Sequence, residues 1–167
     1  YNRYTKQTVN IGSAFLQNEW KNEKWSILLG GRLDKHNLID HVIFSPRANL
    51  RFNPSEDINL RLSYSSGFRA PQAFDEDLHI ENVGGTVSMI ERAKNLKEEK
   101  SQSFSASADM YHRFGAFQVN FLVEGFYTRL SDVFVLENIG ERDGILIKER
   151  RNGSGAKVLG LSMEGKL

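Results

Sequence analysis

Apolar and polar side chains alternate along this chain in segments of about ten residues, which constrains the fold more than any other feature. The alternation is clearest at 57–66, where Leu60 and Leu62 stand between polar residues. Successive side chains of a β-strand point to opposite faces, so this period predicts a strand with one apolar and one polar face. The polar turn at 53–57 joins it to an alternating segment at 47–52, which predicts an antiparallel hairpin.

Further hairpins follow from the same pattern. One is predicted from the segments at 101–112 and 117–128, with a turn at 113–116, and a weaker one surrounds the turn at 21–24. The last two segments flank or form one long strand, with a bulge at a glycine pair. In total the pattern predicts about seven antiparallel strands. The two segments are 144–151 and 158–167, and the glycine pair between them is Gly153 and Gly155.

The predicted connections alternate between short and long, as they do in outer-membrane barrels with short turns on one side and long loops on the other. A soluble antiparallel sandwich explains the alternation of side chains equally well. However, runs of ten or more residues exceed the usual five or six of globular sheets and match the roughly 9–11 needed to span a bilayer. The short turns are 21–24, 53–57 and 113–116, and the long links are 35–44, 67–100 and 137–143.

Polar side chains on the second face also favour a membrane barrel. The apolar face would meet lipid, and the polar face would need a wide, wet or plugged lumen, because a small soluble barrel fills its interior with apolar groups. Aromatic residues near strand ends suit the girdles of such a barrel. The polar set includes Arg47, Arg51, Arg61, Gln118, Asn120 and Glu124, and the aromatic set includes Trp20, Trp25, Tyr64, Phe68, Tyr111 and Tyr127.

Composition excludes several other classes. The net charge is +1, with 22 basic and 21 acidic residues, which gives no reason to expect a nucleic-acid partner. There is no cysteine, so disulfide scaffolds and thiolate zinc sites are excluded. Apolar runs of about four to six residues are too short for a membrane helix, which needs roughly 20. The chain starts at Tyr1 and ends within a strand pattern, so we expect a piece of a longer protein.

No catalytic pattern is present in the sequence. It lacks the Gly-x-Ser-x-Gly turn of serine hydrolases and any glycine-rich phosphate loop or zinc motif. We therefore predict no enzyme, no catalytic residue, no metal site and no resident cofactor.

One segment resembles a hallmark of TonB-dependent receptors. In that family a barrel strand ends in a phenylalanine-arginine-alanine-proline box at the base of an extracellular loop. After the loop, an asparagine-leucine signature opens the next strand. The matching residues here are Phe68, Arg69, Ala70 and Pro71 after Gly67, followed by Asn95 and Leu96, although the family's proline after that pair is missing.

This resemblance implies that residues 1–167 are an all-β fragment of an antiparallel up-and-down transmembrane β-barrel, about seven strands of a 22-stranded, plugged barrel. It further implies active import of a scarce nutrient, such as a ferric siderophore, haem or cobalamin, across the outer membrane of a Gram-negative bacterium. The implied partners are outer-membrane lipid, a plug domain of the same chain that lies outside these residues, the TonB complex and a small-molecule ligand. Another outer-membrane barrel (an adhesin or porin-like channel) and an outer-membrane hydrolase are the alternatives.

Few residues stand out as candidate sites. The box and the Asn95-Leu96 pair are predicted to anchor the loop, because Pro71 helps to end a strand and Gly67 permits a bend. Arg69 is predicted to pair with a carboxylate of the loop and, as a second possibility, to contact the ligand. The carboxylates are Asp75, Glu76 and Asp77, for which a calcium site is the alternative.

The four histidines give weaker predictions. His79 lies in the interval where haem-uptake receptors of the family carry a haem-ligating histidine, and a solvated loop position is the alternative. His36 and His41 either bind a metal together or lie in a polar loop. His112 is predicted at a membrane interface.

Overall fold

A computed structural model describes residues 6–72, 81–83 and 86–167. In these residues it contains eleven β-strands and no helix long and apolar enough to cross a membrane. In chain order the strands are β1 (Ile11–Lys21), β2 (Trp25–His36), β3 (Val42–Ser55), β4 (Ile58–Arg69), β5 (Glu81–Val83), β6 (Thr86–Arg92), β7 (Glu99–Phe114), β8 (Phe117–Ser131), β9 (Phe134–Arg142), β10 (Ile145–Asn152) and β11 (Ala156–Lys166).

Seven of these strands form one antiparallel sheet in the order β1-β2-β3-β4-β7-β8-β11. The strands of this sheet lie side by side in the same order in which they occur along the chain, which confirms the predicted up-and-down topology. The first and last strands of this order do not pair with each other, so the barrel is not closed within this chain. We call this sheet the wall sheet.

The wall sheet has one apolar and one polar face, as the alternation predicts. Leu62 lies opposite Leu50 on one side and Ala106 on the other, so their side chains share the apolar face. No helix or second sheet covers this face in the described part of the chain, since Leu62 and Phe121 stay 55% and 42% exposed. In contrast, a folded soluble sandwich would bury such residues.

Tight turns close one end of the wall sheet. The Asn22 side chain accepts hydrogen bonds from the backbone nitrogens of Lys24 and Trp25, at 3.0 and 2.7 Å. Gly115 has a φ of 60°, which glycine adopts without strain in the turn between β7 and β8. That turn is shorter than the predicted 113–116, because the first two of these residues still pair within β7 and β8.

The two long connections at the other end build a second sheet, in the order β5-β6-β10-β9, which we call the loop sheet. β6 belongs to the connection between β4 and β7, and it runs parallel to β10 of the connection between β8 and β11. Ile90 and Ile147 are buried in it, at 2% and 3% exposure. Consequently the two loops form one packed unit.

The predicted link at 137–143 is wrong, because these residues belong to β9 and its turn into β10. Asp143 and Gly144 form this turn with φ of 53° and 75°. Positive φ at both central residues is typical of a tight hairpin turn, for which Asp-Gly is a favoured pair.

The prediction of one long final strand is also wrong. β10 lies in the loop sheet and β11 in the wall sheet, with Gly153 and Gly155 at the crossing. A Cβ at Gly155 would lie 2.2 Å from the Leu130 carbonyl oxygen, so the backbones approach too closely for another residue. An irregularity in the pairing lies instead between β9 and β10, where Ile147 pairs with Gly140 and Lys148 pairs with Asn138, so that β9 contains one extra residue.

Candidate functional site at the loop end

The box residues lie where β4 leaves the wall sheet. Gly67, Phe68 and Arg69 are the last residues of β4 and pair with the first residues of β7. Ala70 and Pro71 follow and are buried. Ala70 forms a small apolar cluster against which Phe68 packs, and the other members are Ile39 and Ile43. This packing supports the predicted anchor role of the box.

Arg69 has a partner that the sequence does not reveal. Its guanidinium carbon lies 5.5 Å from the ring centroid of Phe134, a cation–π contact. The Phe134 backbone nitrogen donates a hydrogen bond of 3.0 Å to the carboxylate of Glu99, which is the register partner of Arg69. Thus Arg69 and Glu99 hold the start of β9 from two sides. The predicted partners Asp75, Glu76 and Asp77 lie outside the described residues.

Asn95 and Leu96 turn the chain from the loop sheet towards β7. The Leu96 nitrogen donates to the Ala93 carbonyl at 3.3 Å, and the Ala93 nitrogen donates to the Arg150 carbonyl at 2.9 Å. This position between the two sheets supports an anchor role for the pair.

Asn152 connects the two loops, although no sequence pattern singles it out. Its amide oxygen accepts a hydrogen bond from the Lys97 nitrogen, and its amide nitrogen donates to the carbonyls of Lys97 and Asp132. Asp132 has a φ of 55°, an uncommon conformation for a residue other than glycine. One side chain therefore fixes the ends of both long connections.

Glu98 is a second residue that the sequence analysis missed. It is buried and lies 2.9 Å from the Lys100 ammonium and 3.2 Å from His41 Nε2. Burial raises the pKa of Glu98, but the hydrogen bond from Lys100 and the charges of Lys100 and His41 outweigh it and lower the pKa overall. The carboxyl group is therefore held in its ionised form.

His36 does not occupy a polar loop, so that expectation is wrong. It ends β2 with 1% exposure, and its Nδ1 accepts a hydrogen bond from the Leu38 nitrogen at 3.0 Å. His41 contacts Glu98 instead of pairing with His36. In the part of the chain that the structure describes, no group of three or more histidine and carboxylate side chains could hold a metal.

Of the other two histidines, the structure describes only His112. His112 lies in β7, and its ring contacts Phe114 at a centroid distance of 4.3 Å. His79 lies outside the described residues.

Acidic and basic side chains alternate along β6 and β10 of the loop sheet. Glu91, Glu149 and Glu137 are cross-strand neighbours, and Arg151 forms ion pairs with the last two. The hydrogen bond from Arg151 to Glu137 raises the pKa of Arg151, which is charged in any case. The basic residues Arg92, Lys148 and Arg150 occupy the alternate positions of β6 and β10 and so point to the opposite face. The glutamates of the first face are therefore paired with arginines, and Arg150 on the second face is buried.

Together these features define the class of protein. A wide antiparallel sheet with an uncovered apolar face, short turns at one end and a structured loop unit at the other is an arc of an up-and-down β-barrel. The chain belongs to the TonB dependent receptor-like, beta-barrel family, whose family model matches residues 1–166. Proteins of this family are outer-membrane receptors and transporters, not enzymes.

Solved structures agree on the fold. The siderophore receptor PirA from Pseudomonas aeruginosa superposes with a TM-score of 0.79 at 17% identity, over 93% of this chain and 30% of its own. The ferric enterobactin receptor PfeA in complex with BCV-L6 superposes with a TM-score of 0.74 at 18% identity, over 97% of this chain and 25% of its own. The hemophore receptor HasR of Serratia marcescens, solved with its hemophore HasA and heme, superposes with a TM-score of 0.72 at 14% identity, over 94% of this chain and 31% of its own.

The chain therefore spans about a third or less of the length of these receptors. At such identities the likeness shows the fold alone. No curated protein matches the sequence.

Proposed function

We propose that this chain is part of the barrel wall of an outer-membrane receptor that imports a ferric siderophore with energy delivered through TonB. The observation that carries the proposal is the two-faced wall sheet with a packed loop unit at one end. Family membership and the siderophore receptors among the structural neighbours support the choice of ligand class. Haem and cobalamin are the other ligands that such a receptor could take.

Each surface of the wall sheet has a role in this proposal. The apolar face meets outer-membrane lipid, because hydrocarbon solvates no polar group. The polar face lines a lumen that a plug domain of the same protein fills, and the TonB contact lies outside residues 1–167. The loop sheet stands at the external end and forms part of the ligand entrance.

The site residues fall into two groups. Gly67, Phe68, Ala70 and Pro71 anchor the loop on the wall sheet, together with Asn95 and Leu96. Arg69 belongs primarily to this anchor, which its contact with the Phe134 ring supports, and contact with the ligand is the second role that we propose for it. His79 is the candidate ligand contact in the same loop, and it would ligate iron if the transported molecule were haem.

Growth under iron limitation tests the proposal. A strain that lacks the gene is supplied with single iron sources: ferric siderophores of different chelating chemistry, haem, and an iron salt at high concentration. We expect the strain to lose growth on one ferric siderophore only and to recover it with the restored gene. Equal growth on every chelated source, or a defect in uptake of an iron-free nutrient, would contradict the proposal.

A further inference from the structure

Two arginines face each other on the polar side of the wall sheet. Arg51 of β3 and Arg61 of β4 are direct register partners, so their Cβ atoms lie about 5 Å apart. Like charges in directly opposite positions destabilise a sheet unless something compensates them. The sequence therefore places an unfavourable pair at a position where polar residues such as serine would be neutral.

The described residues do not compensate this pair. Arg61 Nε donates to the side-chain oxygen of Asn59 at 2.8 Å, whereas the buried Nε of Arg51 has no hydrogen-bond partner. Glu19 and Glu124 line the same groove of about 340 Å³, yet neither forms an ion pair with these arginines in the described part of the chain. The Glu19 carboxylate instead accepts a hydrogen bond from Ser26.

We propose that Arg51 and Arg61 together bind a carboxylate side chain of the plug domain, an inference that rests on the proposed function. Guanidinium groups present planar sets of donors that match the two oxygens of a carboxylate. A carboxylate between the two would accept hydrogen bonds from the terminal N–H groups of both guanidiniums and remove the repulsion between the charges.

The position of the pair favours a resident protein group over the imported molecule. Arg61 precedes Arg69 by eight positions in β4, about 26 Å along the strand at the usual rise. The pair therefore lies towards the short turns and far from the loop sheet. Moreover, the chain accounts for only 30% of the length of the PirA receptor, so a receptor of this kind has ample chain for the lumen.

Hydrogen exchange on the full-length receptor in detergent tests this inference. The variants are Arg51→Ala, Arg61→Ala and the double variant, and Arg47→Ala is the matched control, since it lies on the same face opposite Ser65. We expect at least tenfold faster exchange in one plug segment that contains Asp or Glu, in each test variant but not in the control. Heat-modifiable migration on gels confirms that each barrel is folded, and Arg51→Gln replaces Arg51→Ala if the latter does not fold.

The carboxylate is then identified by reversing the charges. A Lys at that plug position, combined with Arg51→Glu, is expected to restore slow exchange. The inference would be overturned if hydrogen exchange of the plug were unchanged in all three variants. It would also be overturned if the slow exchange of the plug segment depended only on added phosphate. If a plug is present and siderophore uptake is intact, such a result leaves the proposed function standing, whereas a receptor gene without a plug domain would overturn both.

Discussion

The side chain of Asn152 pairs with both backbone groups of Lys97: it accepts a hydrogen bond from the nitrogen at 2.7 Å and donates one to the carbonyl oxygen at 3.0 Å. The amide side chain thus makes the two hydrogen bonds that the backbone of a neighbouring strand would make with Lys97. Because Asn152 also donates to the Asp132 carbonyl at 2.7 Å, it holds the returning end of one loop against the departing end of the other.

Replacing Asn152 with Ala should loosen the loop sheet. Three hydrogen bonds are lost, each with a net contribution of about 1 kcal/mol, so we expect local opening to become easier by about 1–3 kcal/mol. Hydrogen exchange at the Lys97 amide measures this. Asn138→Ala is the control, because Asn138 is exposed in the neighbouring strand β9. Equal protection of Lys97 in both variants would contradict the role of Asn152.

Glu98 should make the loop end sensitive to acid. Its pKa in the folded chain is lowered from the ordinary 4.5, so its stabilising contribution is complete above that value and is lost as the pH falls through the lower folded pKa. Exchange of the amides around Lys100 between pH 6 and pH 3 measures the loss. In Glu98→Gln the acid-dependent part should disappear, and an unchanged acid dependence in this variant would refute the assignment.

The crossing between the sheets should not tolerate a side chain at Gly155. An added Cβ would meet the Leu130 carbonyl at 2.2 Å, and backbone on both sides must shift, at a cost of about 1–3 kcal/mol. Urea unfolding of the full-length receptor in lipid tests Gly155→Ala. At Gly165 an added Cβ meets nothing within 4 Å, so Gly165→Ala should unfold like the parent. Equal stability of the two variants would show that the crossing is wider than described.

The Arg69–Phe134 contact should contribute to the order of β9. Phe134→Leu keeps an apolar side chain but removes the aromatic face, with an expected loss of about 0.5–1 kcal/mol in local stability. Faster exchange in the first residues of β9 would show it. Phe117→Leu, at an exposed position beside the turn between β7 and β8, is the control. No difference between the two variants would mean that Arg69 contributes nothing through this ring.

The wall sheet could be predicted because its signal is local. Strand faces follow from alternation, and the short turns carry polar residues, so Leu62 and Arg61 could be placed on opposite faces from the sequence. The loop sheet could not be predicted in this way, since β6 pairs with β10 from a distant segment. The pair Asp143-Gly144 is a local hairpin signal that favours a turn between two strands over the predicted link at 137–143.

The candidate site was only partly predictable for the same reason. The box at Phe68 and Arg69 was recognisable from its resemblance to a family. Its contact with Phe134 was not, and neither were the partners of Asn152 and Glu98, because these side chains meet residues from distant parts of the sequence. The sequence predicts a bulge at the glycines 153 and 155, whereas at the crossing Gly155 lies close to the Leu130 backbone and Gly153 lies close to the Val135 side chain.

Accessibility of spin labels in lipid vesicles tests the central claim most directly. Single cysteines are introduced into the full-length receptor at Leu60, Arg61, Leu62 and Ser63, within a segment that contains no natural cysteine. We predict that labels at positions 60 and 62 collide with oxygen dissolved in the bilayer and not with a water-soluble nickel complex. Labels at 61 and 63 should show low oxygen collision, as lumen-facing positions. A label at 62 that is reached by the nickel complex, or shielded from both, would contradict the barrel account.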